Sequence, residues 1–351
     1  MIPAQHIVLL TPGFPESETD YLCVPPVQGL LKGLQAKHPE LKITAVALQY
    51  PYKRREYQWH NIPVFACGGN NRKFPGRLMV WRQALKTLER LHEAAPISCI
   101  HALWASEATL LAQRMNRRHG IPVLCTLMGQ DARPANTYLK RLNFDNLTTV
   151  ALSDNQSNTF TETTGRQPNA LVPWAIDPAE LPKPAAERDV DVLGVGSLID
   201  LKRYDLFLEV VAALKEQRPN IRAVLLGDGP NRAALEQQAK ALGLEDNIEF
   251  TGLLPRPVVL QWMGRSKVLL HPSEYESFGF VFAEAQAMGC NIVSCETGWN
   301  EPGEHWSIAE RERNALAAST AELLNESPAP KQLVTERFNR LLNEYTQLYR
   351  Q

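Results

Sequence analysis

A strand, a loop and a helix follow one another in the stretch HPSEYESFGFVFAEAQAMG, which runs from His271 to Gly289. An apolar run ends at His271, and the helical spacing that follows ends at Gly289, a residue that suits a left-handed C-cap. The first amides of this helix have no intrahelical partners, and together with the helix dipole they favour an anion such as a phosphate. They belong to Ser277, Phe278, Gly279 and Phe280.

Two glutamates flank this predicted phosphate site. Glu276 comes directly before it, and Glu284 lies in the first turns of the helix. Carboxylates are good partners for adjacent sugar hydroxyls, and ligands of open α/β sheets bind beyond the carboxyl ends of the strands. The pattern therefore indicates a site for a sugar phosphate. A capped surface helix with solvated glutamates is the alternative that the spacing alone leaves open.

Short apolar runs alternate with helical patterns along the whole chain, and the alternation restarts near its middle. This predicts an α/β fold with two Rossmann-like, doubly wound parallel-sheet domains. We expect domains at residues 1–172 and 173–330, a proline-rich linker near Pro168–Pro184, and a helix at 331–351 that packs on either domain. The predicted strands include His6–Leu10, Leu41–Leu48, Ser98–Ala102, Pro122–Thr126, Asp189–Gly196, Ile221–Leu226 and Val268–His271.

The composition is that of a globular protein with two cores. The 351 residues are 44% hydrophobic and 21% charged, and no apolar run reaches the roughly 20 residues of a membrane-spanning helix. The N-terminus lacks the pattern of a secretory signal, and the six cysteines lack zinc-site spacing, so we expect reduced thiols and a cytoplasmic protein.

The formal net charge of −1 hides an asymmetry between the two halves. Residues 1–175 contain 19 basic and 12 acidic side chains, whereas residues 176–351 contain 18 and 26. A basic half suits an anionic substrate or surface. Because no nucleic-acid-binding motif accompanies it, we expect no nucleic-acid partner.

The stretch from Glu276 to Glu284, followed by Met288-Gly289, resembles the donor-site motif of glycosyltransferase family 4. Further segments resemble motifs of the family in the same order along the chain. They are Thr126–Asp131, Pro173–Asp177, Gly196–Lys202, Gly227–Pro230 and Ile248–Gly252. The resemblance covers most of residues 100–300 and is weaker in residues 1–95, where family members bind acceptors.

The resemblance implies a GT-B fold, with the two domains facing each other across a cleft, and a role for each matching residue. Lys202 would bind the donor diphosphate, and Thr251 would lie near the nucleotide base. Glu276 and the four amides after it would contact the sugar and the pyrophosphate. Glu284 would hold the ribose hydroxyls. Asp131 matches a conserved motif position and is a catalytic candidate, together with Glu276 and Lys202.

Two positions depart from the family pattern. Ser197 stands where family members usually have an arginine that binds phosphate. Arg203 is a candidate replacement, because arginine is well suited to phosphates. Met128 stands where the family often has a histidine that helps to orient or stabilise the reacting sugar.

The N-terminal half offers fewer signals. Gly13 and Phe14 follow the first strand, and His101 and Trp104 end another, so they are candidates for the acceptor side of the cleft. A structural histidine is the favoured alternative for His101. The helical pattern at Arg72–Ala95 is apolar on one face and basic at its flanks. Packing on the sheet is the simpler interpretation, and peripheral contact with the anionic inner face of the plasma membrane is the alternative.

The sequence therefore predicts a retaining hexosyltransferase. The donor would be a nucleoside diphosphate sugar, the acceptor a glycan or lipid-linked saccharide of cell-surface polysaccharide or glycolipid synthesis, and neither a cofactor nor a metal is expected. A non-catalytic nucleotide-sugar-binding protein and a nucleotide-sugar epimerase are the alternatives. The sugar, the base, the acceptor and the oligomeric state stay open.

Overall fold

The computed structural model describes residues 5–183, 187–327 and 334–350. Its contacts divide the chain into two compact units. The first contains the residues up to Trp174 and those from Phe338 onward, and the second runs from Ala175 to Arg337. The division thus falls two residues after the expected boundary. Of the linker and tail predictions, Pro184, residues 331–333 and residue 351 lie outside the described residues.

In the first unit, the described residues form one mainly parallel sheet with helices. In chain order the elements are β1 (His6–Gly13), α1 (Pro25–Lys37), β2 (Lys42–Tyr50), β3 (Arg55–Trp59), β4 (Ile62–Ala66), α2 (Gly76–Ala94), β5 (Cys99–Leu103), α3 (Glu107–His119), β6 (Val123–Thr126), β7 (Thr148–Ala151), α4 (Asp154–Thr164) and β8 (Ala170–Leu171).

The order of strands in this sheet is β3-β4-β2-β1-β5-β6-β7-β8. Neighbouring strands are parallel except for β3 and β4, which form an antiparallel pair at one edge. The central strands β1 and β5 are buried over most of their length, as apolar strands covered on both faces are. One core cluster fills the space between this sheet and helices α2 and α3.

The second unit repeats the plan with a smaller sheet. Its elements are β9 (Val190–Val195), α5 (Tyr204–Gln217), β10 (Ala223–Leu226), α6 (Arg232–Ala241), β11 (Ile248–Gly252), α7 (Arg256–Arg265), β12 (Ser266–His271), α8 (Phe280–Ala287), β13 (Asn291–Ser294), β14 (Trp306–Ile308) and α9 (Arg313–Leu323).

The order of strands in the second sheet is β11-β10-β9-β12-β13-β14, and all the pairs are parallel. The chain winds outward from β9 in one direction and then continues from β12 in the other. Beyond the carboxyl ends of β9 and β12 the strand order reverses, and in doubly wound folds this is the position of a ligand crevice.

The last helix, α10 (Val334–Leu348), joins the first unit through its C-terminal part. Phe338 packs so closely on α1 that a Cβ added to Gly33 would lie 2.6 Å from its ring. Further along, the Tyr345 hydroxyl and Thr126 Oγ1 are 2.9 Å apart in the buried interior. Of the two packing options that the sequence left open, the structure therefore has the helix on the N-terminal domain.

The described part of the chain bears on two further expectations, the absence of a membrane-spanning helix and the reduced state of the cysteines. None of its helices is both long and apolar enough to cross a membrane. The six cysteines are unpaired, and all but Cys23 are buried. Burial raises the pKa of five of these thiols to about 12, so they are protonated at neutral pH.

Candidate functional site

Lys202 and Glu276 meet beyond the carboxyl ends of the adjacent strands β9 and β12. Lys202 lies in a 3₁₀ turn at Asp200–Lys202, and Glu276 lies in the loop before α8. The Lys202 ammonium donates to Glu276 Oε1, which His271 Nε2 also contacts at 2.7 Å. The side chains of Lys202 and Glu276 are 18% and 13% exposed, so a ligand can reach both.

The charges of this cluster follow from its contacts. Burial alone would raise the pKa of Glu276, but the Lys202 ammonium and the His271 ring outweigh it and lower the pKa to about 2. Burial also lowers the pKa of His271, despite the neighbouring carboxylate. At neutral pH a neutral imidazole therefore donates to a carboxylate, and His271 is a positioning residue for Glu276.

This coupling predicts an acid-sensitive domain. Because the pKa of Glu276 is lower in the folded state than its ordinary 4.5, its contribution to stability is complete above that value. The contribution is lost as the pH falls toward 2. Urea unfolding between pH 5 and 2 should show a steeper loss of stability for the native chain than for Glu276→Gln, and parallel curves would contradict the assignment.

Glu284 belongs to a second buried ion-pair cluster. Arg256, the first residue of α7, donates from Nε to Glu284 Oε1 at 2.6 Å and from a terminal nitrogen to Glu180. Burial raises the pKa of Glu284, and Arg256 opposes this shift. Within the described structure, Oε2 of Glu284 accepts no hydrogen bond, so it is the oxygen that a ligand hydroxyl could approach.

The loop between these two glutamates is fixed by close backbone packing. Gly279, the N-cap of α8, has φ +78°, and a Cβ there would lie 2.5 Å from the Phe282 ring. Phe278 is buried and stacks on Trp299 at 5.2 Å between ring centroids. A Cβ on Gly298 would lie 2.6 Å from the Phe278 carbonyl oxygen. Only glycine fits at positions 279 and 298. This close packing fixes the N-terminus of α8 beyond the carboxyl end of β12.

The backbones of the loops after β9 and β10 also pack in close contact. A Cβ on Gly227 would lie 1.9 Å from the Gly196 carbonyl oxygen. Ser197 is exposed next to this contact, and Thr251, half-buried at the end of β11, bonds the Gly252 carbonyl. Ser197 and Lys202 therefore follow the carboxyl end of β9, and Thr251 lies near the carboxyl end of β11. Ligands of open α/β sheets bind beyond these strand ends.

Arg203, the candidate for the missing phosphate-binding arginine, is paired with neighbouring carboxylates in this structure. Its guanidinium binds both oxygens of Asp205, at 2.9 to 3.2 Å, and approaches Glu274 at 3.4 Å. The Arg203 side chain is 33% exposed, and both partners are 48% exposed. Donor binding by Arg203 stays a prediction, and a donor phosphate would compete with these two carboxylates for the guanidinium.

Two acceptor-side expectations are corrected. His101 is fully buried, and its ring nitrogens contact Tyr349 at 2.9 Å and Thr126 at 2.8 Å. Burial lowers its pKa to about 3, so it is a neutral structural histidine. Phe14 is also buried, and its ring packs edge-on to Trp59. Neither side chain is accessible to a ligand in this structure, because both are buried against protein neighbours.

Gly13 and Trp104, the other two acceptor-side candidates, are both partly accessible to a ligand. Gly13 ends β1 and is half-buried, and Trp104 is half-buried in the loop after β5. Trp104 has φ +64°, a left-handed conformation that a side chain this large rarely adopts. Such backbone strain is found most often at functional sites.

The Asp131 carboxylate binds backbone amides of a loop, so it is not available to a reacting group. Its carboxylate accepts from the amides of Ala105 at 2.8 Å, Gly129 at 2.7 Å and Met128 at 3.1 Å. Burial raises its pKa, and these amides partly oppose the shift. Its predicted catalytic role is corrected to a positioning role. Met128 itself is half-buried in the loop that Asp131 fixes.

Sequence reasoning missed the partners of both glutamates. Arg256 and Glu180 stand far from Glu284 in sequence and match no motif, so only the fold brings them together. The pairing of His271 with Glu276 had a signal, because the two residues are five apart in one loop.

The model of a known family matches the domain that carries these residues. The model for glycosyl transferases group 1 matches residues 178–340. The gpi3 subunit of phosphatidylinositol N-acetylglucosaminyltransferase from Schizosaccharomyces pombe is 30% identical over 185 residues, which is 52% of this chain and 39% of that protein. A D-inositol 3-phosphate glycosyltransferase from Kribbella flavida is 34% identical over 113 residues, 30% of this chain and 27% of that protein. The chain thus spans well under half of these relatives.

Solved structures resemble the chain over its whole length. Sucrose-phosphate synthase from Thermosynechococcus elongatus matches with a TM-score of 0.76 and 16% identity, covering 99% of this chain and 98% of that one. HepE of Anabaena, solved with UDP and glucose, matches with a TM-score of 0.75 and 17% identity, covering 98% of each. At such identities the likeness concerns the fold, and it confirms the expected pair of Rossmann-like domains. The chain has the GT-B fold, and residues 178–340 in its C-terminal domain match the model for glycosyl transferases group 1.

Proposed function

We propose that this protein transfers a hexose-type sugar from a nucleoside diphosphate donor, with retention at the anomeric carbon, to a glycan or lipid-linked saccharide. The observation that carries the proposal is the cluster of Lys202, Glu276 and His271 at the point where the strand order reverses. A cation and an ionised carboxylate lie there, next to the loop that leads into the N-terminus of α8.

Each group has a part in this reaction. The Lys202 ammonium and the first amides of α8 would stabilise the negative charge that develops on the departing diphosphate. Oε2 of Glu276 is free of the contacts made by Oε1 and would hold a sugar hydroxyl, while Glu284 would hold the ribose. Ser197 carries no charge, so the diphosphate would depend on Lys202 more strongly than in relatives with a second cation.

The names of the relatives support the class of donor and acceptor. Several are N-acetylglucosaminyltransferases that act on phosphatidylinositol or an aminocyclitol, and others act on inositol phosphate. We therefore propose a UDP-linked hexose or N-acetylhexosamine as the first donor to test. Because one relative is a named subunit, a partner subunit belongs among the candidates for association.

The test measures the melting temperature of the protein in the presence of each member of a panel of UDP, GDP and ADP sugars. The corresponding free nucleoside diphosphates are measured in the same way. A ligand that binds only the folded protein raises this temperature by mass action. We expect one base to give a shift both as sugar nucleotide and as diphosphate. Excess chelator should leave the shift and the turnover unchanged, because protein cations and amides neutralise the diphosphate.

The control for this panel is a pair of matched carboxylate variants. Glu284→Gln should weaken binding roughly tenfold or more, because the charged acceptor is lost. Glu216→Gln, on an exposed part of α5, should change nothing. Equal affinities in all three proteins would contradict the assigned site.

The same panel separates the alternatives. Met128 and Ser197 favour a non-catalytic binder as the second candidate, since Met128 lacks the imidazole and Ser197 lacks the guanidinium that family members usually have at these positions. Donor binding without sugar transfer or hydrolysis would support that reading, and release of an epimerised sugar without acceptor would support an epimerase.

A further inference from the structure

A wide groove lies between the β3–β4 hairpin and helix α2, in the first unit. Its volume is about 680 Å³. This is within the roughly 300–1,000 Å³ that small-molecule sites occupy. We call it the basic groove, and its charged lining consists of Arg54, Arg55, Glu56, Arg82, Lys86 and Arg90. None of these residues belongs to the donor site.

Five cations thus face one carboxylate across the basic groove. Arg90 pairs with Glu56 at 2.8 Å, and Arg55 approaches Glu16 at 3.5 Å. The remaining three, Arg54, Arg82 and Lys86, make no ion pair with any carboxylate of the described residues. The groove therefore keeps an uncompensated positive charge.

Helix α2 aligns part of this charge. Arg82, Lys86 and Arg90 recur every fourth residue, so they project from one helical face. The opposite face of α2 packs into the core through Val80, Ala84 and Leu88. Like charges four residues apart repel and destabilise a helix, and a bound anion would remove that repulsion.

The lining between the cations is mixed. Phe65 and Cys67 form an apolar part, and Gln83 and Thr87 add neutral hydrogen-bonding groups. The Arg90 guanidinium lies 5.2 Å from the Phe65 ring centroid, which holds it over the groove. A guanidinium can bind two oxygens of a carboxylate or of a phosphate, and three cations without ion pairs among the described residues favour the more highly charged phosphate.

We propose that the basic groove is a second anion site of this protein, for a ligand that carries phosphate groups. Arg54, Arg82 and Lys86 bind the phosphate oxygens, and Gln83 and Thr87 contact the group that bears the phosphate. The proposal does not depend on the transferase assignment, because the groove lies in the other unit and its test compares a variant of the groove with a matched control in which the donor site is unchanged.

A phosphate could reach this groove on a soluble molecule or on a lipid. Apolar side chains are exposed close by, since Met79 at the rim is 62% exposed and Phe74, just before α2, is 76% exposed. The experiment therefore uses two probes. One is inorganic pyrophosphate in solution, and the other is vesicles of phosphatidylcholine with or without phosphatidylglycerol.

The variant Arg82→Gln/Lys86→Gln removes two unpaired charges from the solvent face of α2. The matched control, Arg114→Gln/Arg117→Gln, removes two exposed charges from α3 in the same unit, and these residues also lack ion pairs among the described residues. Pyrophosphate affinity is measured by calorimetry with the full chain, and vesicle binding by co-sedimentation. Melting curves verify that both variants fold.

We expect the groove variant to bind at least one probe roughly tenfold more weakly than the native chain, with the control unchanged. Loss of pyrophosphate binding identifies a soluble phosphate ligand. Loss restricted to vesicles that contain phosphatidylglycerol identifies a lipid headgroup. Equal loss in both variants would show a general charge effect and overturn the proposal, as would the failure of both probes to bind the native chain.

Discussion

Lys202→Ala should lower kcat/KM for the donor about a hundred- to a thousandfold, the loss that follows removal of one preorganised group that stabilises transition-state charge. The reason is specific to this chain. Ser197 is neutral and Arg203 is shared by two carboxylates, whereas among the described residues the ammonium of Lys202 pairs with Glu276 alone, so we expect the diphosphate to depend mainly on Lys202.

Binding measurements would separate this role from a general loss of structure. Lys202→Ala should weaken binding of the free diphosphate much more than binding of the nucleoside, because only the diphosphate meets the ammonium. Lys202→Arg should recover part of the activity. Lys240→Ala, at an exposed position of α6, should leave both activity and diphosphate binding unchanged. If nucleoside and diphosphate affinity fell equally, the assigned role would be wrong.

Arg256→Ala should destabilise the C-terminal domain by about 3–5 kcal/mol, the cost of breaking a buried ion pair by removing one partner. Arg256 neutralises two carboxylates, Glu180 and Glu284, and the three side chains are 10% to 17% exposed. Without the guanidinium, two buried negative charges would face each other. The change should appear in hydrogen exchange of the core amides of β12, which reports the opening of this domain.

The helix that bears Arg256 also provides the control. Arg265, its last residue, pairs with Asp189 at the surface, where both side chains are nearly 40% exposed. Arg265→Ala should cost at most about 1 kcal/mol, because solvent screens such a pair. The cost of Arg256→Ala should also shrink in a Glu180→Ala background, as expected for coupled groups. Equal costs for the two arginines would contradict the burial argument.

The sequence predicted the donor loop because its signals are local. The strand end at His271, the glycine N-cap at Gly279 and the two glutamates lie within fourteen consecutive positions. A helix N-terminus after a buried strand exposes its amides wherever it occurs, so the chemistry can be read from the order of residues. The strand–helix alternation predicted the two sheets for the same reason.

The sequence did not predict the β3–β4 hairpin or helix α7. The hairpin is an antiparallel edge in an otherwise parallel sheet, and its turn contains His60 and Asn61, both with positive φ, which no Asn-Gly or Asp-Gly signal marks. Helix α7 has a weak apolar periodicity. The basic groove depends on the hairpin, so it was invisible before the fold was known.

Roles that depend on burial were decided by tertiary structure. His101, Phe14 and Asp131 stand where a strand end or a family motif would present them to a ligand, yet each is buried with protein partners. A strand end faces the crevice only on one side of the pleat, and a sequence does not state which side is covered.

The sequence by itself determined the fold class and the position of the loop between β12 and α8, since these follow from periodicity and from neighbours along the chain, and the donor-binding roles of the residues in that loop stay a prediction. Only the tertiary structure decided which charges are available. It paired Arg203 with Asp205 and Glu274, shared Arg256 between two glutamates, and left Arg54, Arg82 and Lys86 without an ion pair among the described residues. An ion pair is a contact between residues distant in sequence, and its strength depends on burial, which local order does not specify.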